Sequence, residues 1–474
     1  MFHKINNPVS PVILFIPEAG IYPFIRGLAV LGDAIQKQGG TVYITRDTGQ
    51  MPRNPLMTMN NLSVSPTKEV LLDMFKKSDK IFKDVISHYH FKTIELSDYV
   101  NTETMNEINE LTSNKINLDK VVYQGFPVGK IAQYDFVLET KAPFSKNTTK
   151  EKIALYSTYI KNTALAIAIT NNICEQYKPN LFLTFNEYAQ CQGVKYSALR
   201  HNSSFLALTY PVHYNIDASR FSIWKSTYQY WRYAHIQKWN SIKNMSISST
   251  YVDECWKDAI FRMYNAGSHI FASKKNTNLN SIYKDLRIKP EKKIIVVYTS
   301  SQDERITGDI SMQIWKEKNS TVEAFTNQIE WLKMLRNYAK KQKNVQILVR
   351  IHPREGSRQL GFDSEFLLKL RKVFSKTSQN FDIIWPENPI SSYDLLEVAD
   401  VCLIAWSFMG LEAARLGIPV LSYIGNMYYP NDDFIQVAVT PAAYKTKLDN
   451  ILKMNYQWKH LVKATRFYHW RTFI

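Results

Sequence analysis

The sequence predicts an α/β protein of two open parallel-sheet domains facing a cleft. Three observations carry that expectation. Short apolar runs alternate with helical periodicity, the pattern restarts near residue 291, and polar residues collect just beyond the predicted strands. Strand–helix–strand units with short joints build parallel sheets. A chain of 474 residues is also too long for one comfortable core, so two domains and a connector are expected.

In the first half, PVILFIP (11–17) reads as a strand and IRGLAVLGDAIQKQGG as a helix closed by glycines. TVYIT (41–45) follows as a second strand, and residues 68–110 read as helical and polar. ALYSTYIKNTALAIAITNNICEQY is a long, mostly apolar helix leading through Pro179 into the strand NLFLTF (180–185). Residues 195–265 are aromatic-rich and carry no clear period, and the Lys/Asn-rich stretch that follows reads as a linker.

The second half opens with the strand and loop KKIIVVYTSS (292–301). Val322, Phe325, Ile329, Leu332 and Leu335 then fall at spacings of three and four, which predicts one helix over 322–340. VQILVRIHP, FDIIWPE, DVCLIA and IPVLSY read as further strands, and SYDLLEVA and WSFMGLEAARLG as the helices between them. The expected domains are 1–265, a linker at 266–290, 291–450, and a basic aromatic C-terminal helix at 451–474.

Composition narrows the function classes. Hydrophobic content of 45% and charged content of 21% are globular values. No apolar run approaches the roughly 20 residues that cross a bilayer, and the N-terminal run is too short for a signal peptide. Cys174, Cys191, Cys255 and Cys402 form no C-x-x-C pair, so reduced structural thiols and a cytoplasmic protein are expected. A formal net charge of +17 favours polyanionic partners. Residues 441–474 hold seven Lys or Arg against one acid, Asp449, with seven aromatics interleaved, among them Trp458, Phe467, Tyr468, Trp470 and Phe473. That mixture suits either a helix at the inner face of an anionic membrane or a terminal helix packing its aromatics on the body.

In open parallel sheets, ligands bind beyond the carboxyl ends of the strands. Ser300, Ser301 and Glu304 follow the first strand of the second half, Arg350 and His352 the next, and Ser407 and Glu412 lie beyond DVCLIA. Helix-start amides, hydroxyls and a basic pair can hold phosphate, and a carboxylate one turn into a helix can accept from a ribose diol. The set fits a nucleotide leaving group. Each residue also has a structural reading: a loop-capping histidine, a strand-end ion pair for Arg350, an N-cap for Ser407, and a helix pair with Arg415 for Glu412. There is no Gly-x-Gly-x-x-Gly fingerprint and no Walker loop, which disfavours redox dinucleotides and NTPases.

The stretch ENPISSYDLLEVADVCLIAWSFMGLEAARLGIPVLSY, with RIHP before it, resembles GT-B glycosyltransferases. More narrowly, it resembles those of bacterial capsule and cell-surface polysaccharide synthesis: capsular Kdo transferases, polysialyltransferases and CDP-glycerol glycerophosphotransferases. The resemblance covers about residues 290–425 and implies a C-terminal donor domain, an N-terminal acceptor domain and a terminal helix crossing back to the first domain. It implies that His352 contacts or protonates the donor phosphate, Ser407 binds phosphate and Glu412 the ribose. The residue eight before Glu412 is Ile404, so the paired glutamates of many retaining members are absent. No Asp-x-Asp metal motif is seen, and a metal-independent reaction is expected, with no tightly bound cofactor and a CMP-, CDP-, UDP- or GDP-linked sugar as donor.

An inverting transfer needs a base on the acceptor side. Glu187 in TFNEYAQ and Glu18 in FIPEAGIYP both follow first-half strands, and Asn186 beside Glu187 could orient a sugar. Either could instead be a helix-start carboxylate. His213 reads as a buried or stacking ring. His88 and His90, two apart without a third ligand, do not make a metal site. The expected partners are the nucleotide sugar and a glycan or glycolipid acceptor, with peripheral contact to an anionic membrane and no nucleic acid. The rival readings are a nucleotide-sugar epimerase of related fold, a nucleic-acid-binding protein and an inactive glycan-binding module.

Overall fold

The computed structural model describes residues 11–16, 22–51, 53, 68–113, 117–145, 148–209, 222–225, 235–265, 278–318, 321–357, 362–376, 378–425, 427, 429–430, 433–455 and 458–473. The chain forms two compact units that interleave in sequence. The first comprises residues 1–210, 216–227 and 303–317; the second comprises 211–215, 228–302 and 318–474.

The first unit holds a six-stranded sheet in the order β3-β2-β1-β4-β5-β6. Its strands are β1 (Val12–Leu14), β2 (Val42–Arg46), β3 (Lys92–Glu95), β4 (Leu181–Phe185), β5 (Ser204–Thr209) and β6 (Ser222–Trp224). All neighbours run parallel except β5 and β6. The short β3 interrupts what the sequence presents as one helical stretch over 68–110. Its pairing with β2, Tyr43 opposite Lys92, overrides the local helical preference.

Three helices of this unit matter for the site: α1 (Val128–Thr140), α2 (Lys150–Tyr177) and α3 (Ala189–Arg200). Thr149 caps the start of α2 by accepting from the Lys152 N–H. Lys178 closes α2 in the left-handed conformation, just ahead of Pro179. Gly193 sets the approach of α3 to α2, because a Cβ there would lie 2.8 Å from the Thr163 carbonyl oxygen.

The second unit holds β7 (Lys293–Tyr298), β9 (Val345–Arg350), β10 (Phe381–Ile384), β11 (Val401–Ile404), β12 (Val420–Ser422) and β14 (Gln436–Val437). They lie in the order β10-β9-β7-β11-β12-β14, all parallel. Counted in chain order within each unit, both sheets follow 3-2-1-4-5-6, the doubly wound Rossmann order. Both faces of the second sheet are covered. Along β7, Ile295 and Val297 enter one core while Ile294, Val296 and Tyr298 enter the other, as two-residue alternation requires.

The helix expected over 322–340 starts later, at Gln328. Asn327 caps it by accepting from the Glu330 N–H, while β8 (Val322–Glu323) pairs antiparallel with β13 (Ile424–Gly425). A capped start cannot extend backwards through residues already committed to a strand.

Three further helices frame the second unit: α4 (Ser249–Asn265), α5 (Met409–Arg415) and α6 (Trp458–Phe473). The terminal helix α6, which the family resemblance sends back towards the first domain, packs here on α4 and α5. Its Phe467 and Tyr468 are fully buried in the core, so these two aromatics serve packing. All four cysteines are buried and free. Among the described residues, no helix is long and apolar enough to cross a membrane.

Candidate functional site

The switch point of a doubly wound sheet lies between its first and fourth strands, where the connections part to opposite sides. In the second unit that is the gap between β7 and β11. Ser300 and Ser301 follow β7 there and Ser407 follows β11, while Arg350 ends the neighbouring β9 and His352 lies just beyond it. Ser300 is the pivot. Its N–H donates to Gln328 Oε1 and its carbonyl accepts from the Gln328 amide nitrogen, both at 2.8 Å. Its Oγ accepts from the Trp406 N–H at 3.2 Å, tying the end of β7 to the end of β11. Ser301 beside it is fully buried.

Thr299 ties β7 to its other neighbour. Its N–H donates to the Arg350 carbonyl at 3.1 Å, and its Oγ1 accepts from the His352 N–H at 2.9 Å. The ends of β9, β7 and β11 are thus stitched together through two adjacent hydroxyl residues. Past them, Glu355 is buried, accepts from the Gln302 N–H at 3.2 Å and from the Ser364 hydroxyl, and so braces the turn after His352. Thr299, Gln328 and Glu355 escape a sequence reading. Each acts on backbone 28 to 53 residues away, and no local pattern announces such a bond.

His352 is half-buried at the start of a single 3₁₀ turn, and its Nδ1 accepts from the Arg354 N–H at 3.2 Å. In the neutral ring that bond leaves the proton on Nε2, the tautomer needed to donate to a phosphate oxygen. Arg350 is buried at the end of β9, where it donates to the Trp385 carbonyl at 2.7 Å. Its Nε is buried without a hydrogen-bond partner. The carboxylate that acts on it, Glu387, is already paired with Arg371 at 2.9 Å. Burial lowers the Arg350 pKa to about 10, so the fold disfavours its charge as it stands.

Ser407 is half-buried just ahead of α5. Its Oγ accepts from the Met409 N–H at 3.3 Å and its carbonyl from the Tyr429 hydroxyl at 2.9 Å. This is a turn one residue ahead of the N-cap position, which Phe408 fills without a side-chain cap. Glu412, in the first turn of α5, is buried between two arginines. Arg262 of α4 takes Oε1, and Arg415 takes Oε2 at 3.2 Å. Arg262 lies 4.4 Å from the centre of the Phe408 ring and Arg415 lies 3.7 Å from that of Tyr468, so this carboxylate clamps three helices together. Glu304 is half-buried at the start of the helix Gln302–Ile314, in the segment grouped with the first unit.

In the first unit, Glu187 follows β4 at the corresponding switch point, between β1 and β4. It is buried and paired with Lys195 at 3.1 Å, and its carbonyl accepts from the Gln192 amide at 2.8 Å. Asn186 before it takes the left-handed conformation at φ 62°, which asparagine tolerates better than most residues. Lys195 also lies 4.3 Å from the Trp315 ring centre. Asp135 of α1 accepts from the Ala189 N–H at 3.0 Å and caps α3; its other oxygen is buried without a partner. Burial raises the Asp135 pKa to about 8. Two more buried ion pairs, Arg53–Glu139 and Lys141–Asp303, belong to the same unit. Sequence inspection missed Asp135, because its mid-helix position carries no signal of burial. Glu18 and His213 lie outside the described residues. His88 and His90 are exposed. Among the described residues, no three His, Cys, Asp or Glu side chains gather as a metal site would require.

A scan against protein families finds no match, and no curated protein matches the chain in sequence. Solved structures do resemble it. The Thermosulfurimonas dismutans KpsC beta Kdo 2,4 transferase is 12% identical, covers 60% of this chain and 79% of its own, and has a TM-score of 0.36. The beta Kdo 2,7 transferase of the same KpsC is 15% identical, with coverages of 58% and 79% and a TM-score of 0.31. The UDP-GlcNAc 2-epimerase of Neisseria meningitidis, bound to UDP-GlcNAc, is 12% identical over 96% of this chain and 97% of its own, with a TM-score of 0.27. At such scores the likeness leaves function to the residues themselves.

Proposed function

We propose that the protein is a metal-independent glycosyltransferase of the GT-B type, moving a sugar from a nucleotide donor to a surface polysaccharide or glycolipid. The observation that supports this reading is the stitched end of β9, β7 and β11, with Ser300 and Ser407 after the two strands that flank the switch point and His352 after the neighbouring β9. Arg350 is buried with an unpartnered Nε–H, and an anionic ligand would supply an acceptor for it. In this reading His352 Nε2–H donates to the phosphate that departs, Ser407 and Ser300–Ser301 line its position, and Glu412 accepts from the ribose. The first unit is assigned the acceptor, with Glu187 as the general base and Glu18 as the alternative. Lys195, 3.1 Å from its Oε1, would orient the Glu187 carboxylate for that task.

The test is a thermal-shift screen against CMP, CDP, UDP and GDP and their sugar conjugates, followed by turnover with and without oligosaccharide acceptors. Stabilisation by one nucleotide, and turnover only with acceptor, is the expected outcome. No stabilisation by any of the four would overturn the reading. Conversion of the donor without an acceptor would favour an epimerase.

A further inference from the structure

The helix α4 has two faces of opposite character. Cys255, Asp258, Ala259 and Arg262 are buried against the body. On the outer side Val252, Trp256, Ile260 and Tyr264 repeat every four residues, 36%, 37%, 55% and 54% exposed. Four-residue spacing places them in one stripe along the helix, about 18 Å long at 1.5 Å per residue. Tyr251 lies about 100° round the helix from that stripe and stacks on His469 of α6. Asp253 and Lys257, the charged residues on that outer side, pair with each other at 2.6 Å and cancel. Soluble proteins scatter exposed apolar residues singly, so a continuous stripe marks a surface that something covers.

We propose that this stripe lies on an anionic lipid bilayer. Its residue types are those of an interfacial helix: branched aliphatic side chains to enter the acyl boundary, with Trp and Tyr to sit among the headgroups. Its surroundings supply the charge. Of the side chains that reach the surface on the helix His235–Ile242, α4 and α6, Lys238, Lys257, Lys459, Lys463 and Arg466 stand against Asp253 and Glu254, with Asp433 paired to Lys463, a net of +2. The contacts of Tyr251 with His469 and of Cys255 with the Thr465 carbonyl run antiparallel along α4 and α6. That brings the first turn of α6, with Trp458 67% exposed and Lys459 beside it, towards the Tyr264 end of the stripe. Basic residues near such a surface attract anionic headgroups. The membrane-facing element is therefore α4 with the first turn of α6, while the buried Phe467 and Tyr468 take no part.

The proposal is independent of the transferase reading, since vesicle binding and nucleotide binding are measured separately. The full chain is sedimented with vesicles of phosphatidylcholine alone and of phosphatidylcholine with phosphatidylglycerol. The unmodified protein is expected to partition onto the anionic vesicles. The double variant Trp256→Ser/Ile260→Ser should lose at least about tenfold in partition coefficient at an unchanged melting temperature. Leu368→Ser, at a site 54% exposed on another helix, should behave as the unmodified chain does. Tyr264→Ser provides a milder variant if the double one unfolds. The proposal is overturned if the unmodified chain ignores anionic vesicles, or if folded stripe variants bind them as before. It is equally overturned if light scattering shows a dimer of the unmodified chain that the stripe variants dissociate.

Discussion

Lys195 Nζ lies 3.1 Å from Glu187 Oε1, with both side chains sealed from water at the end of β4. Removing one partner of a buried pair strands the other charge, which costs about 3–5 kcal/mol. Glu187→Gln should therefore lower unfolding stability by that order in urea titrations. Pairing it with Lys195→Met should recover most of the loss, because no charge is then left buried. Turnover should stay abolished in both if Glu187 is the base. A double variant that regains turnover along with stability would make the pair purely structural.

Asp135 gives the fold a pH dependence of definite sign. Its carboxyl keeps its proton up to about pH 8 in the folded chain, whereas the ordinary value is 3.8. Between these values the unfolded chain has released a proton that the folded chain retains, so stability falls as pH rises from about 4 to 8 and then levels off. The slope is at most about 1.4 kcal/mol per pH unit. Asp47, raised by burial to about 6, adds in the same direction up to that pH. Asp135→Asn keeps an oxygen for the Ala189 N–H and removes the titration. Its stability relative to the unmodified chain should grow across pH 4 to 8 in denaturant melts, with no further gain above.

Glu412 holds Arg262 and Arg415 at once, so Glu412→Gln should also cost about 3–5 kcal/mol, read as a lower melting temperature. Its second assigned task, accepting from a ribose hydroxyl, needs a separate readout. Calorimetry should show the unmodified protein preferring the ribonucleotide over its 2′-deoxy analogue by about tenfold, as a charge-assisted hydrogen bond allows. Glu412→Gln, measured below its melting temperature, should lose that preference. An unchanged preference would leave the carboxylate as a clamp alone.

The strands of the second sheet were legible because each is a short apolar run between turn-forming residues, and the serine and histidine clusters could be placed simply by where those runs stop. The Rossmann order of both sheets was not legible, since nothing local in β7 says that β9 and β11 will be its neighbours. For the same reason Thr299, Gln328 and Glu355 stayed hidden. β3 was lost because four residues in a polar, helix-rich stretch give too little alternation to compete. The stripe on α4 is the subtlest case. Val252, Trp256, Ile260 and Tyr264 at helical spacing look like a core face, and only the burial of Cys255, Asp258 and Arg262 shows that the core lies on the other side.

His352 and Arg350 can be told apart by opposite balances of stability and function. His352 is half-buried and its ring accepts from the Arg354 N–H, so His352→Ala should leave the melting temperature within a few degrees. If its Nε2–H meets the leaving phosphate, turnover should fall by about 10²-fold or more. For Arg350, a strand anchor and an anion ligand make contrary forecasts. An anchor lost in Arg350→Met should destabilise the chain, because the bond to the Trp385 carbonyl goes, and should leave nucleotide affinity alone. A buried cation awaiting a phosphate should behave in reverse. Burial already disfavours its charge, holding its pKa at about 10, so a well-packed neutral side chain should be neutral or stabilising. Nucleotide affinity should meanwhile drop by at least about tenfold, as loss of one charged hydrogen bond implies. The second pattern is expected, with melting temperature and calorimetric Kd measured on the same preparation.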